Sequence, residues 1–194
     1  MWRAPARVAC VAVLLVVVPV SGPAAQPVSP APLGRGDVTF VFHSTIVGAL
    51  TGQAAIARAE FSGERLAAVR GSAVVLVAAM QTGNGQRDRH MREAMRADSY
   101  PEIRFDLDSV RVGAVSGDTS GVVLVGRVTI HGVTRPLAAT GAVVARRAGE
   151  DVTASFGLDM RDYGITPPVR ALVLRVAPDV AVTVHLSFGA GPGP

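Results

Sequence analysis

The sequence has very little of several residue types, and each shortage excludes a class of protein. Lysine is absent, so all 19 basic residues are arginine, and with 15 acidic residues they give a net charge of +4. Charged residues make up only 18% of the chain and aromatic residues 5%. A chain so apolar is not disordered, and a charge so low does not favour the capture of nucleic acid. We therefore expect a compact globular protein with no nucleic-acid partner.

Cysteine occurs once, as Cys10, inside a segment with the pattern of a secretory signal. Arg3 and Arg7 precede an apolar run over residues 8–18, and small residues follow it. The run is shorter than the roughly 20 residues that cross a bilayer, so a cleaved signal peptide over residues 1–25 is favoured over a permanent anchor. Cleavage would remove the only thiol, so the exported chain would have no disulfide. The predicted location is periplasmic or secreted.

The rest of the chain divides into a leader, one domain and a tail. Residues 26–36 are rich in proline and lack apolar periodicity, which predicts a flexible leader. The closing residues 190–194 predict a disordered tail. The folded domain is therefore expected over residues 37–189.

Alternation of apolar and polar residues dominates this domain and predicts β-strands. In Asp151–Met160, Val152, Phe156 and Leu158 share one face while polar residues take the other. No long helices alternate with the strands, so the pattern predicts an antiparallel sandwich or barrel. The eight expected strands are Val38–His43, Ala49–Arg58, Leu66–Met80, Pro101–Asp108, Val122–His131, Arg135–Val144, Asp151–Met160 and Asp179–Phe188.

One segment interrupts this alternation. Gln86–Ala97 contains good helix formers, and Asn84 or Thr82 is available as its N-cap. The segment predicts a short helix between two strands. Its Met91 and Met95 would close one end of a barrel as a lid, because methionine adapts to irregular apolar surfaces.

Four motifs in order resemble a known family. They are MQTGNGQRDRHMREAM, YPEIRF, GRVTIHGVTRPL and RDYGI, and the similarity covers about residues 38–188. Together they resemble the YceI-like family of bacterial lipid-binding proteins. The resemblance implies an all-β, eight-stranded antiparallel lipocalin-like β-barrel with a helical insertion. It also implies an elongated apolar cavity for a long isoprenoid chain, such as a polyprenyl phosphate or a quinone, and it implies no cofactor beyond such a ligand.

Alternation selects the residues that would line such a cavity. Small Val and Ala residues predominate among the apolar positions, which leaves room inside an eight-stranded barrel. The same residues would equally form an ordinary packed core, and periodicity does not settle which face of each strand is internal. The predicted lining is Phe40, Phe42, Ile103, Phe105, Leu107, Phe156, Leu158, Val182 and Leu186.

The charged residues of the helix have two interpretations. Arg87 and His90 would contact the head group of a ligand, helped by free backbone N–H groups at the helix start. Alternatively, Asp88 stabilises the helix N-terminus and pairs with Arg87 or Arg92. The second interpretation is favoured.

Other polar residues carry weaker signals. His131 precedes Gly132 in a predicted hairpin turn, and a structural role is favoured over ligand contact. Arg161 and Tyr163 lie at a strand end and are candidates for head-group contact. The four histidines have no metal-binding spacing, and no catalytic template such as GxSxG is present. We therefore predict neither a metal site nor an enzyme.

The function predicted from these observations is that of an exported protein that sequesters or transports a long-chain isoprenoid or similar amphiphile, with transient membrane contact left open. The alternative is a periplasmic, stress-related interaction module with a packed barrel and no ligand. A homodimer is also left open, because both faces of the segment Leu66–Met80 are apolar.

Overall fold

The computed structural model describes residues 33–167, 169–170 and 174–189. The predicted signal peptide, most of the predicted leader and the predicted tail lie outside the described residues.

The fold is a closed antiparallel β-barrel of eight long strands, which confirms the predicted fold class. Successive strands are neighbours in the sheet, and the last long strand pairs with both the first and the seventh, which closes the barrel. A two-residue strand, β8, pairs with the beginning of β9. The strands are β1 (Leu33–Ser44), β2 (Gly48–Ser62), β3 (Arg70–Leu76), β4 (Glu102–Ser116), β5 (Thr119–Ile130), β6 (Val133–Arg146), β7 (Gly149–Asp159), β8 (Val169–Arg170) and β9 (Leu174–Gly189).

The alternation of apolar and polar residues in the sequence corresponds to the alternation of buried and exposed residues in the barrel wall. In β2, residues 52, 54 and 56 are buried while residues 51, 53 and 55 are exposed. Register carries this pattern from strand to strand: Phe40 pairs with Val182, which pairs with Phe156. The inward positions of neighbouring strands therefore lie level with one another around the lumen.

Several predicted boundaries are wrong, among them those of the leader and of the third strand. The predicted flexible leader extends to Gly36, whereas β1 begins at Leu33, which pairs with Phe188 of β9. The predicted strand Leu66–Met80 is shorter, because 3₁₀ turns occupy Leu66–Ala68 and Val77–Ala79 on either side of β3. Apolar residues on both faces gave this segment no period from which its ends could be recognised.

The expected apolar row on the outer face of the third strand is largely covered. Val74 is only 2% exposed, and its register partners on the adjacent strands are Arg58 and Arg104. Leu76 is 40% exposed. The homodimer stays a prediction, and β3 presents only Leu76 of its outer apolar residues to solvent.

The barrel has two different ends. The helix α1 (Gly85–Ala94) lies between β3 and β4, at the same end as the β1–β2 and β5–β6 turns. We call this the helix end. The other end carries the β2–β3, β4–β5 and β6–β7 connections, and we call it the hairpin end.

The β5–β6 turn at the helix end has the backbone predicted for it. His131 and Gly132 both have positive φ, 52° and 76°, as a two-residue type I′ hairpin requires. The imidazole Nδ1 of His131 is 3.1 Å from the carbonyl oxygen of Tyr163, and its ring lies against Tyr100 with 4.5 Å between centroids. The histidine thus joins this turn to two neighbouring segments.

Candidate functional site

A long cavity runs through the barrel from the helix end to the hairpin end. Its volume is about 1130 Å³ and its wall is predominantly apolar. Inward-facing residues of all the long strands contribute to it, together with α1 and the turns at both ends. The interior of this barrel is therefore a lumen and not a solid core.

All nine residues predicted to line a cavity do line it. Phe40, Phe42, Val182 and Leu186 contribute from β1 and β9, and the other five from β4 and β7. The strand faces chosen from the alternation are thus the inner ones. Whether these side chains contact a ligand stays a prediction.

Small residues at inward positions create the room in the lumen. Ala54, Ala73, Ala139 and Ala154 all belong to the wall. The interior of an eight-stranded barrel is narrow enough for side chains to fill it. A leucine or phenylalanine at each of these positions would therefore have filled the lumen. The wall is therefore built from aromatic side chains set between alanine and valine.

The glycine at position 52 has a packing role in this wall. A Cβ atom placed there would overlap the ring of Phe40 and would lie 3.0 Å from the carbonyl oxygen of Gln81. The Phe40 ring consequently packs flat on the backbone of β2. Glycine at this position keeps the ring against the wall and out of the lumen.

Two clusters of buried side chains surround the lumen. At the helix end, Met80 and Met95 pack with Ile130, Tyr163 and Ile165. At the hairpin end, a smaller cluster contains Leu107, Val110, Val122 and Val143. Members of both clusters line the cavity, so both ends of the barrel have packed walls around an open interior.

The helix forms a cover over part of the helix end. Met91 and Met95 face the cavity, and Met95 is buried against the strand residue Ile130. The helix begins after Asn84, whose side chain accepts a hydrogen bond from the backbone N–H of Arg87 at 3.0 Å. The predicted N-cap and lid position are therefore those of the structure, although the helix ends at Ala94 and not at Ala97.

Thr82 holds the first turn of the helix in place. Its backbone N–H donates to Oδ1 of Asp88 at 2.8 Å, and its hydroxyl donates to the same oxygen. Arg87 donates from Nε to Oγ1 of Thr82 at 2.7 Å and from Nη2 to its carbonyl oxygen at 2.8 Å. The described residues contain no direct ion pair of Asp88 with Arg87 or Arg92. Asp88 accepts from Thr82 instead, and Thr82 accepts both hydrogen bonds from Arg87.

The same contacts set the charge state of Asp88. The hydrogen bond from the Thr82 hydroxyl lowers the pKa of this carboxyl group, burial opposes the shift, and the Thr82 N–H and the charges of Arg92 and Arg87 lower it further. Asp88 is therefore a carboxylate at neutral pH. Its role is to fasten the lid helix to the loop that precedes it, next to the bridge between Gln81 and Gln53 of β2.

The six residues predicted for the lid or the head-group contact separate into two groups. Arg87, His90, Met91 and Met95 line the cavity. Arg161 is exposed and donates to both carboxylate oxygens of Asp159, which lowers the pKa of that aspartate. Tyr163 is buried in the helix-end cluster, and burial raises the pKa of its hydroxyl. The structure does not bring Arg161 and Tyr163 to the cavity wall.

The sequence reasoning missed a polar group inside the lumen. Ser44, the last residue of β1, is 7% exposed and lines the cavity, and its hydroxyl has no hydrogen-bond partner among the described residues. It continues the inward row of Phe40 and Phe42 by period two. That spacing was available in the sequence, but a serine before a turn is easily assigned to the turn itself.

The two ends of the cavity meet solvent through different rims. Val47, in the β1–β2 turn, lines the cavity and is 60% exposed, so the rim at the helix end includes an apolar residue. At the hairpin end, Arg146, Arg147 and Glu150 line the cavity and are exposed. Arg146 donates from Nε to Asp151 at 2.8 Å. The hairpin-end rim therefore includes charged residues of both signs.

The described part of the chain contains neither a cluster of metal ligands nor a helix that could span a membrane. No group of three or more His, Cys, Asp or Glu residues is close enough there to hold a metal ion. None of the described helices has the length and apolar character to pass through a bilayer.

Comparison with known proteins gives a family and a fold. The sequence model of the YceI-like domain matches residues 34–188. No curated protein matches the chain. BcnA from Burkholderia cenocepacia is similar in structure, with 18% identity and a TM-score of 0.63 over 78% of this chain and 95% of that one.

Two further structures share the fold. A polyisoprenoid binding domain from Saccharophagus degradans, described as implicated in plant cell wall breakdown, has 14% identity and a TM-score of 0.66 over 86% of this chain and 100% of that one. A YceI protein from Campylobacter jejuni has 12% identity and a TM-score of 0.54 over 92% and 94% of the two chains. At these identities the likeness establishes the barrel.

Proposed function

The chain belongs to the YceI-like family, and we propose that it sequesters or transports one long-chain isoprenoid, a polyprenyl phosphate or a quinone, or a similar amphiphile, in its barrel. The observation that carries this proposal is the apolar lumen of about 1130 Å³. Pockets for drug-sized molecules are typically about 300–1,000 Å³, so this lumen exceeds them. The polyisoprenoid binding domain of Saccharophagus degradans, which shares the fold, supports an isoprenoid as the ligand.

Burial of the chain supplies the binding energy. Each methylene removed from water contributes about 0.8 kcal/mol before the cost of ordering the ligand. The wall provides aromatic side chains such as Phe105 and Phe156 as contact surface. A long chain therefore binds without any covalent step, and no catalytic group is required.

The alternative function, an interaction module with a packed barrel, has less support. Its premise is a solid interior, whereas the lumen is open along its length. An enzyme acting on the bound lipid has the least support, since the sequence contains no catalytic template.

Transient contact with a lipid surface takes place at the helix end in this proposal. Ile46 and Val47 form the tip of the β1–β2 turn and are each 60% exposed, and Val47 continues into the cavity wall. Val115, at the opposite end, is 65% exposed but does not line the cavity. An apolar tip that is continuous with the lumen lets an acyl or prenyl chain pass from membrane to barrel without crossing water.

Export to the periplasm or the medium fits a carrier of membrane lipids and rests on the pattern of residues 1–25. It is tested by the mass of the protein recovered from the cell envelope fraction. Loss of about residues 1–25 supports export, and a full-length cytoplasmic protein contradicts it.

Native mass spectrometry of the purified protein tests the function directly. Denaturing extraction would follow, with identification of anything released. A stoichiometric long-chain amphiphile supports the proposal and identifies the cargo. A ligand-free mass, with no uptake of added polyprenol, polyprenyl phosphate or quinone, contradicts it and favours the interaction module.

Substitution in the wall gives a second test. Phe105→Asp and Phe156→Asp place a charge in the lumen and should abolish lipid uptake, because an unpaired buried charge is strongly unfavourable. Val123→Asp, on the outer face of β5, is the control that carries the same charge outside. Unchanged uptake by the folded lumen variants would remove these residues from the binding site.

A further inference from the structure

The buried hydroxyl of Ser44 is a polar group that the structure leaves unsatisfied. It is 7% exposed, lines the lumen and has no hydrogen-bond partner among the described residues. Buried hydroxyl groups in folded proteins are almost always hydrogen-bonded, and leaving one unpaired is unfavourable. Its position at the helix end of a cavity built for a chain makes the ligand the natural partner.

We propose that Ser44 is the subsite for the polar head of the bound lipid, and that this head is uncharged: a hydroxyl, carbonyl or amide oxygen. This inference rests on the proposed function and specifies its ligand class. A serine hydroxyl both donates and accepts, so it matches each of these groups. The prenyl or acyl tail then extends toward the hairpin end.

The surroundings of Ser44 argue against a phosphate at this place. Its inward neighbours along β1 are Phe42 and Phe40, which cannot compensate a charge. Arg87, the arginine of α1 that lines the cavity, already gives two hydrogen bonds to Thr82. A serine hydroxyl beside two phenylalanines suits a neutral oxygen and does not suit an anion.

A phosphate would find its best position at the other end. Arg147 lines the cavity at the hairpin end and is exposed, although Glu150 lies on the same rim. An anionic ligand would therefore bind in the reverse direction, with its head at Arg147. The two orientations differ in which residue, Ser44 or Arg147, contacts the head group. Substitution of the contacting residue should change the affinity for the ligand.

The experiment compares three ligands that share one prenyl chain: squalene, hexaprenol and hexaprenyl phosphate. Each ligand is titrated into the delipidated mature protein and into its Ser44→Ala, Ser44→Thr and Arg147→Ala variants. We expect the wild-type protein to bind hexaprenol more tightly than squalene. Ser44→Ala should weaken the affinity for hexaprenol about fivefold, as for the loss of one neutral hydrogen bond. The same substitution should leave the affinity for squalene unchanged. Ser44→Thr, which keeps the hydroxyl, should retain most of the difference.

A stability measurement separates this role from a structural one. If the hydroxyl is unpaired without ligand, Ser44→Ala should melt at the same or a higher temperature than the wild-type protein when both are ligand-free. A lower melting temperature would show that Ser44 bonds within the protein and would overturn the proposal.

The remaining outcomes also decide. Equal affinity for squalene and hexaprenol, or an equal effect of Ser44→Ala on both, overturns the head-group subsite while leaving lipid binding intact. Tight binding of hexaprenyl phosphate alone, lost in Arg147→Ala, overturns it in favour of the reverse orientation. Failure of all three ligands to bind would refute the proposed function itself.

Discussion

Substitution of Leu124 by tryptophan should shorten the chain that the barrel accepts. Leu124 lies on β5, lines the cavity and packs on the hairpin-end cluster. A larger side chain there projects into the part of the lumen farthest from Ser44. Val125, its neighbour on the outer face of β5, is also half-buried and gives the matched control Val125→Trp.

The size of the effect follows from the cavity. At roughly 30 Å³ per group, the share of one molecule in liquid water, 1130 Å³ holds about 38 groups, or a chain of about seven isoprene units. The change from leucine to tryptophan adds six heavy atoms at the far end of the lumen, and each takes a place that an atom of a bound chain would otherwise fill. This displaces about one isoprene unit of five carbons. At about 0.8 kcal/mol per carbon the longest chains lose about 4 kcal/mol, roughly a thousandfold in affinity.

The assay is displacement of a fluorescent lipid by polyprenols of increasing length. Leu124→Trp should bind farnesol like the wild-type protein and heptaprenol far more weakly, whereas Val125→Trp should bind both normally. The only tryptophan of the natural sequence is Trp2, within the predicted signal peptide, so in the mature protein the introduced indole also reports lipid directly by its emission. Equal losses for short and long chains, or no loss for either, would refute the reasoning about orientation and length.

Three further predictions concern the lid and the rim. Asn84→Ala should lower the free energy of unfolding by about 1 kcal/mol in chemical denaturation, because the N-cap bond is lost; an unchanged midpoint would contradict the cap. The lowered pKa of Asp88 means that its bond to Thr82 stabilises the fold above the ordinary pKa of about 4 and is lost as pH falls through the lower folded value. Thr82→Val should therefore reduce the loss of stability below about pH 4, and an identical acid profile would argue against it. Ile46→Asp, at the tip of the β1–β2 turn, should reduce co-sedimentation of the protein with phospholipid vesicles, whereas Val115→Asp should not. Equal co-sedimentation of the two variants would show that this tip does not make the membrane contact.

Period-two alternation made most of the barrel predictable. Every inward strand position faces one continuous apolar interior, so residues such as Phe105 and Phe156 could be assigned to the lumen from their neighbours in sequence alone. The lid helix could also be predicted, because Asn84 is a good N-cap and the residues after it depart from the period-two alternation of the strands. These features depend on local sequence and local geometry.

The features that were missed depend on contacts across the chain. Residues 33–36 have a leader-like composition, but pairing with β9 makes them a strand. Asp88 has two arginines near it in sequence, yet Thr82 lies closer in space. Ser44 follows the inward period, but only the structure shows that its hydroxyl is buried without a partner. Sequence periodicity gives the face of a residue and does not give its partners.

The pairing of β9 with β1 closes the barrel and therefore determines when the lumen forms. β9 is the last of the described strands, and its 16 residues fill the gap between β1 and β7. Before they are in place the polypeptide is an open sheet with two unpaired edges and an uncovered apolar face. Synthesis must therefore reach the end of β9 before the barrel can take up its first lipid. A chain truncated before β9 should aggregate and should not act as a weaker carrier.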